Sequence, residues 1–143
     1  GPGTDACAIR HPAPLGFLGV CVEGVSSSTA LPSSLFVEVL IGGDTWKTVP
    51  TRGARASSHA EWPEGQTQDF AVYSLDQSIR VRLYSSGNFG NVLLGTARVF
   101  IHELDAGRVE VPLTDHDTDE DEQGQNRSVE LDLSWSALKE EPP

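Results

Sequence analysis

The densest chemistry in the chain is acidic. Between Asp115 and Glu122 six of eight residues are carboxylates. Asp119, Asp121, Gln123, Gly124 and Glu130 stand at positions 1, 3, 5, 6 and 12 of the spacing that wraps a calcium ion in a helix-flanked loop. The match is thin. Gln123 replaces an acid or asparagine, Asn126 sits where an apolar residue belongs, no helical pattern flanks the run, and Glu130 falls inside an alternating strand pattern. A solvated loop is the preferred reading, with Asp119, Asp121 and Glu130 the weak candidates for a metal. His11, His59, His102 and His116 are scattered without ligand spacing. No Gly-x-Ser-x-Gly elbow occurs, and Gly87 and Gly90 lie between two strand patterns rather than ahead of a helix. Nucleophilic catalysis and phosphate cradling therefore have no visible apparatus, and neither enzyme activity nor a cofactor is expected.

A second set of side chains is basic and aromatic. Arg80, Arg82, Arg98 and Lys47 fall on outward strand positions, and so do Glu38, Asp69, Glu110, Glu130 and Asp132. Cross-strand charge pairing is the preferred account of all of them. Phe36 and Trp46, also read as outward, are candidate anchors for a partner protein, with Arg80 and Arg82 as candidates beside them. The net charge of -11, from 21 acidic and 10 basic residues, argues against nucleic acid and against strong binding to anionic lipid.

The elements that position these residues are strands. Ile79, Val81 and Leu83 alternate with Arg80 and Arg82, and Ala97, Val99 and Ile101 share one face of a returning strand, so Ser85 to Asn91 is expected to reverse the chain between them. His102-Glu103-Leu104 reads as a short helical turn. Leu18, Val20 and Val22 place the inward face of the first strand on even positions. Val37, Val39 and Ile41 line the second, and Gly42-Gly43-Asp44 makes a tight hairpin into a third at Thr45 to Val49. Thr51 to Gly65 reads as a long loop before a fourth strand at Gln68 to Tyr73. Val109, Val111 and Leu113 form a seventh strand, and Val129, Leu131, Leu133 and Trp135 the inward face of the last. No segment carries a sustained helical period. The spacing predicts an all-β fold, an eight-stranded antiparallel β-sandwich.

The 143 residues suffice for one domain that buries roughly two-thirds of its unfolded surface. Gly1-Pro2-Gly3-Thr4 reads as a protease-cleavage scar and residues 1–14 as scar plus flexible tail. Residues 15–136 are the domain and 137–143 an acidic linker, so the chain is expected to be an excised module. Cys7 and Cys21 make no disulfide framework, which suits reduced thiols and a cytosolic setting. No apolar run of about 18 residues and no secretory signal is present.

Phe17-Leu18-Gly19-Val20-Cys21-Val22 resembles the opening LxVxV strand of the C2 domains, and Ser33-Ser34-Leu35-Phe36-Val37-Glu38-Val39 their SDPYVKV block. Glu61-Trp62-Pro63-Glu64 is similar to PxWNE. Leu94-Gly95-Thr96-Ala97-Arg98-Val99-Phe100-Ile101-His102-Glu103-Leu104 resembles LGxxxIPLxEL. The resemblance runs from Leu15 to Trp135 and implies a C2-like sandwich of type II topology. Calcium-binding members hold the ion with loop aspartates. Here the corresponding positions are Ser34, Tyr84, Ser86 and Val92, none of which supplies a carboxylate.

The resemblance thus implies a degenerate, calcium-independent, monomeric interaction module of a larger cytoplasmic scaffold, cytoskeletal, ciliary or trafficking, that engages protein partners of unknown identity. The alternative it implies is a peripheral, phospholipid-binding and calcium-linked C2 domain, with weak membrane contact through a basic patch on the outward strand positions. A weaker third reading is a regulatory domain cut from an enzyme. If the strands run up and down in order, the loops after the first, third, fifth and seventh gather at one end, and the acidic run joins them.

Overall fold

A computed structural model describes residues 13–51, 57–114 and 126–138. The strands are β1 (Gly16–Ser27), β2 (Leu35–Ile41), β3 (Asp44–Lys47), β4 (His59–Val72), β5 (Ser78–Gly87), β6 (Gly90–Phe100), β7 (Gly107–Pro112) and β8 (Arg127–Ala137). They form two antiparallel sheets, one ordered β4-β1-β8-β7 and the other β3-β2-β5-β6. The expected eight-stranded antiparallel β-sandwich is therefore what the chain forms.

Alternation places the core. Val37, Val39 and Ile41 of β2 stand opposite Leu83, Val81 and Ile79 of β5, and these side chains are essentially sealed from solvent. From the facing sheet, Leu18, Val20 and Val22 of β1 and Val129, Leu131 and Leu133 of β8 meet them in one apolar cluster. Burying every second residue of two sheets is the dominant favourable term for such a fold. In β1 the even-numbered inward face holds only as far as Val22. A bulge between Val22 and Gly24 shifts the register, and Val25 then takes the inward position.

Three expected boundaries move. The long loop predicted over Thr51 to Gly65 ends early, because β4 begins at His59 and includes Glu61, Trp62 and Pro63. Tertiary contact overrides the loop-like composition here. Trp62 is buried and its indole N–H donates to the Val49 carbonyl at 2.6 Å. Secondly, the reversal predicted over Ser85 to Asn91 shrinks to a turn at residues 88 and 89, with pairing as far as Gly87 and Gly90. Gly90 adopts φ +117°, which glycine accepts without strain. Thirdly, Trp135 keeps the inward parity of β8 but lies beyond the covered core and is 39% exposed.

The short helical turn is a 3₁₀ turn at Ile101–Glu103, and the Gly42-Gly43 hairpin forms as expected, with Ile41 paired to Asp44 and Gly42 at φ +60°.

Candidate interaction surfaces

The outward face of the β3-β2-β5-β6 sheet collects the basic candidates. Arg80 stands between Leu40 and Arg98, Arg82 between Glu38 and Thr96, and Tyr84 between Phe36 and Leu93, while Lys47 stands beside Glu38. Glu38 is the one acid of this group and is buried by its neighbours. One of its carboxylate oxygens accepts from Arg82 Nη1 at 3.2 Å and from the Tyr84 hydroxyl at 3.5 Å. The other lies 3.8 Å from Lys47 Nζ.

Arg98 has a different environment. Its Nε donates to Ser78 Oγ at 3.1 Å, and its guanidinium lies over the Phe100 ring, 5.1 Å from the centroid. Arg80 has no ion-pair partner among the described residues. It faces Arg98 directly across the β5–β6 ladder, a like-charge juxtaposition that costs stability unless an anion relieves it. Arg80, Arg82, Arg98, Tyr84 and Thr96 line a shallow groove of about 530 Å³.

The expected general pairing of outward charges does not form, and topology is the reason. Asp69 belongs to β4, Glu110 to β7, and Glu130 and Asp132 to β8, all in the other sheet. Their side chains alternate with its buried residues and point away from the basic face. On the other sheet Glu23 pairs with Arg108, 3.6 Å apart. The two outer faces of the sandwich thus carry opposite charge.

The aromatic candidates are placed differently from expectation. Phe36 is on the outward face but only 7% exposed, covered by Tyr84 stacked at 5.0 Å and by Lys47 Nζ at 5.9 Å. Trp46 is not outward at all. It pairs with Val39 and packs against the core, because its neighbour Lys47 takes the outward face beside Glu38 and successive side chains of a strand point to opposite faces. Neither ring is an open anchor as it stands. The fully exposed aromatic is Phe89, at the tip of the β5–β6 turn, with Val92 exposed behind it. A turn position gave no periodicity by which to find it. An apolar residue between Asn88 and Gly90 was the available signal.

The end of the sandwich that carries Phe89 also gathers the other odd-numbered connections. The Ser27 N–H donates to the Ser58 carbonyl, that of Leu31 to Ser57, that of Ser28 to Asn126, and that of Ser86 to Ser34. Asn126 N–H in turn donates to Ser28 Oγ at 3.1 Å. The attachment points of the acidic run are therefore at this end, as the strand order predicted. Asp119 and Asp121 themselves lie outside the described residues. Glu130 is on β8 and accepts from Ser26 Oγ at 3.0 Å.

A polar chain extends from that contact. Ser26 Oγ lies 3.2 Å from His59 Nδ1, and His59 Nε2 lies 2.9 Å from Glu61 Oε1. The order serine, imidazole, carboxylate matches the layout of a nucleophilic site, but the hydroxyl hydrogen is directed to Glu130 and the neighbouring Ser27 N–H is spent on Ser58. The network clasps β1 between β4 and β8. Among the described residues no three His, Cys, Asp or Glu side chains are grouped to hold a metal ion. Cys21 is a half-buried free thiol, and no described helix is long and apolar enough to cross a membrane.

No protein-family model matches the sequence, and no curated protein matches it. Solved structures do match. The first C2 domain of plant Extended Synaptotagmin 1 aligns over 92% of this chain and 100% of its own, with TM-score 0.69 and 16% identity. A two-domain C2 fragment of Extended-Synaptotagmin 2 aligns over 92% of this chain and 45% of its own, with TM-score 0.66 and 14% identity. Human GIVD cytosolic phospholipase A2 aligns over 87% of this chain and 17% of its own, with TM-score 0.56 and 14% identity. At such identities the likeness is one of fold. Strand order, the alternating two-sheet core and these neighbours converge on one statement: the chain is a β-sandwich with the fold of a C2 domain.

Proposed function

We propose that this domain is a non-enzymatic, calcium-independent interaction module of a larger intracellular scaffold, and that its basic sheet face docks an acidic segment of a partner protein. The observation that carries the reading is the Arg80–Arg98 juxtaposition. Two arginines opposite each other in the ladder, with Arg82 on the same face, form a site that an aspartate- or glutamate-rich strand or loop would neutralise. Guanidinium forks bind carboxylates bidentately, so such contacts give orientation as well as affinity. The domain's overall negative charge favours a short acidic segment over a whole acidic surface, since the rest of the domain repels it.

A fluorescently labelled glutamate-rich peptide should bind with an affinity that falls as salt rises. Arg80→Glu with Arg98→Glu should weaken it by roughly a hundredfold, on the scale of a lost pair of charge-assisted contacts. Both residues are exposed, so the variant should melt near the parent temperature. Unchanged affinity in a folded double variant would rule this face out.

Calcium independence rests on Ser34, Tyr84, Ser86 and Val92, where the family's ligand positions lack carboxylates. Titration calorimetry with micromolar Ca²⁺ should show no binding heat, and the melting temperature should not rise, because a tight ligand stabilises by mass action. A calcium-dependent rise would return attention to Asp119, Asp121 and Glu130.

A membrane reading has its own observation in Phe89. An aromatic ring held wholly in solvent at a turn tip is suited to the headgroup boundary of a bilayer. On this reading, pelleting with phosphatidylserine liposomes should be lost in Phe89→Ala, whereas the protein-docking reading expects the parent domain to stay in the supernatant. The enzyme-fragment reading has only the phospholipase neighbour behind it, of which the matched part is a small fraction.

A further inference from the structure

The opposite end of the sandwich holds an apolar groove that neither reading uses. A cavity of about 320 Å³ is walled by Leu18, Leu75, Ile101, Leu104, Leu133 and Trp135, with His102, Asp105 and Ala106 at its edge. It exists because the inner face of β8 continues past the core to Trp135, where only the turn around Leu75 and the 3₁₀ turn at Ile101–Glu103 stand over it. Those two covers are tied together. The Ile101 N–H donates to the Gln77 carbonyl at 2.9 Å and the His102 N–H to the Leu75 carbonyl at 3.2 Å. The Trp135 ring lies across Gly16, where an added Cβ would stand 2.7 Å from its Cζ2. The walls are thus held open rather than collapsed, and Leu75 and Trp135 are left substantially exposed.

The rim supplies the chemistry of the occupant. Asp105 lines the groove and Glu103 stands in the 3₁₀ turn that covers it; both are exposed, and neither has an ion-pair partner among the described residues. No lysine or arginine lines the groove. Its volume is near the small end of ligand pockets, about 300–1,000 Å³. A long anionic molecule such as a fatty acid would meet the rim carboxylates unfavourably. From this complementarity we infer that the groove docks a peptide segment of a partner protein, in which a large apolar side chain fills the cavity and adjacent lysines or arginines meet Glu103 and Asp105. The apolar anchor supplies affinity, and the rim charges supply orientation and selection. The basic face begins where β6 leaves the groove, since Arg98 lies over the Phe100 ring and that ring stacks on His102 at the groove's edge, so the domain offers two adjoining surfaces of opposite preference.

The test uses two labelled synthetic amphipathic peptides on the whole chain, one built of leucine and lysine and one of leucine and glutamate, read by fluorescence anisotropy. The lysine peptide should bind, with a blue shift of tryptophan emission as Trp135 is covered, and the glutamate peptide should bind roughly tenfold or more weakly at this end. Leu75→Glu discriminates between groove docking and mere attraction to a net negative protein. Adding a carboxylate strengthens a purely Coulombic association but closes the groove, so a loss of about tenfold or more is expected. Asp105→Lys should also weaken the lysine peptide while leaving the glutamate-rich peptide on the basic face unaffected. Unchanged or tighter binding of the lysine peptide by Leu75→Glu, or equal affinity for both amphipathic peptides in the Arg80→Glu, Arg98→Glu background, would overturn the assignment.

Discussion

Leu83→Ala should lower the unfolding free energy by about 2 to 5 kcal/mol, toward the upper end of that range. Leu83 is fully buried, with Val37 beside it on β2 and Gly95 beside it on β6. Truncation removes the transfer free energy of the side chain and also leaves a hole. One neighbour across the ladder has no side chain with which to fill it. Enlarging Gly95 in compensation would crowd Leu113, whose Cβ an added Cβ would meet at 3.0 Å. A loss of that size lowers the melting temperature of a domain of this length by roughly 10 °C or more. Urea unfolding followed by tryptophan fluorescence measures it, with Phe89→Ala as the exposed control, expected to stay within about 0.5 kcal/mol of the parent. A loss below about 1 kcal/mol for Leu83→Ala, well under the usual cost of such a truncation, would mean that the two sheets do not close on this residue.

Glu38→Gln should move stability and binding in opposite directions. The carboxylate of Glu38 has a side chain only 10% exposed and holds Arg82, itself 35% exposed, at 3.2 Å. The amide keeps the volume but loses the charge that compensates Arg82, so a cost of about 1 to 3 kcal/mol is expected. The Lys47 contact adds little, because that side chain is 59% exposed and water screens the pair. Removing the one acid among the outward charges also raises the potential of the basic groove and frees Arg82 to bind a ligand. Affinity for the glutamate-rich peptide should therefore rise several-fold while the urea midpoint falls. A variant that loses stability and affinity together would show that Glu38 acts by positioning Arg82, not by competing for it.

Much of the fold was legible in order along the chain. Period-two alternation in β2, β5 and β8 marks both the strands and their buried faces, because a pleated strand sends successive side chains to opposite sides. Gly42-Gly43 marks its hairpin for the same local reason, as does the 3₁₀ turn after β6. The failures were places where a distant partner decides. Residues 59 to 65 look like a loop until the Trp62 indole reaches Val49, and Trp135 looks like a core residue until the opposite sheet ends before it. In β3 Lys47 and Trp46 both read as outward, yet adjacent residues of a strand face opposite ways, and pairing with β2 gives the outer face to Lys47 and the inner one to Trp46.

The sequence by itself determined the alternating β-sandwich architecture, the side of β2, β5 and most of β8 that faces inward, and the lack of carboxylates at Ser34, Tyr84, Ser86 and Val92, since these depend on residue type and local period. Which outward charges meet was decided only by the tertiary structure. Arg80, Arg82 and Arg98 look along the chain like partners for Asp69, Glu110, Glu130 and Asp132, but strand order sends the two groups to different sheets. One face of an acidic protein becomes basic because hydrogen-bonded neighbours in a sheet are chosen by connection and core packing. Surface ion pairs contribute too little free energy to choose them.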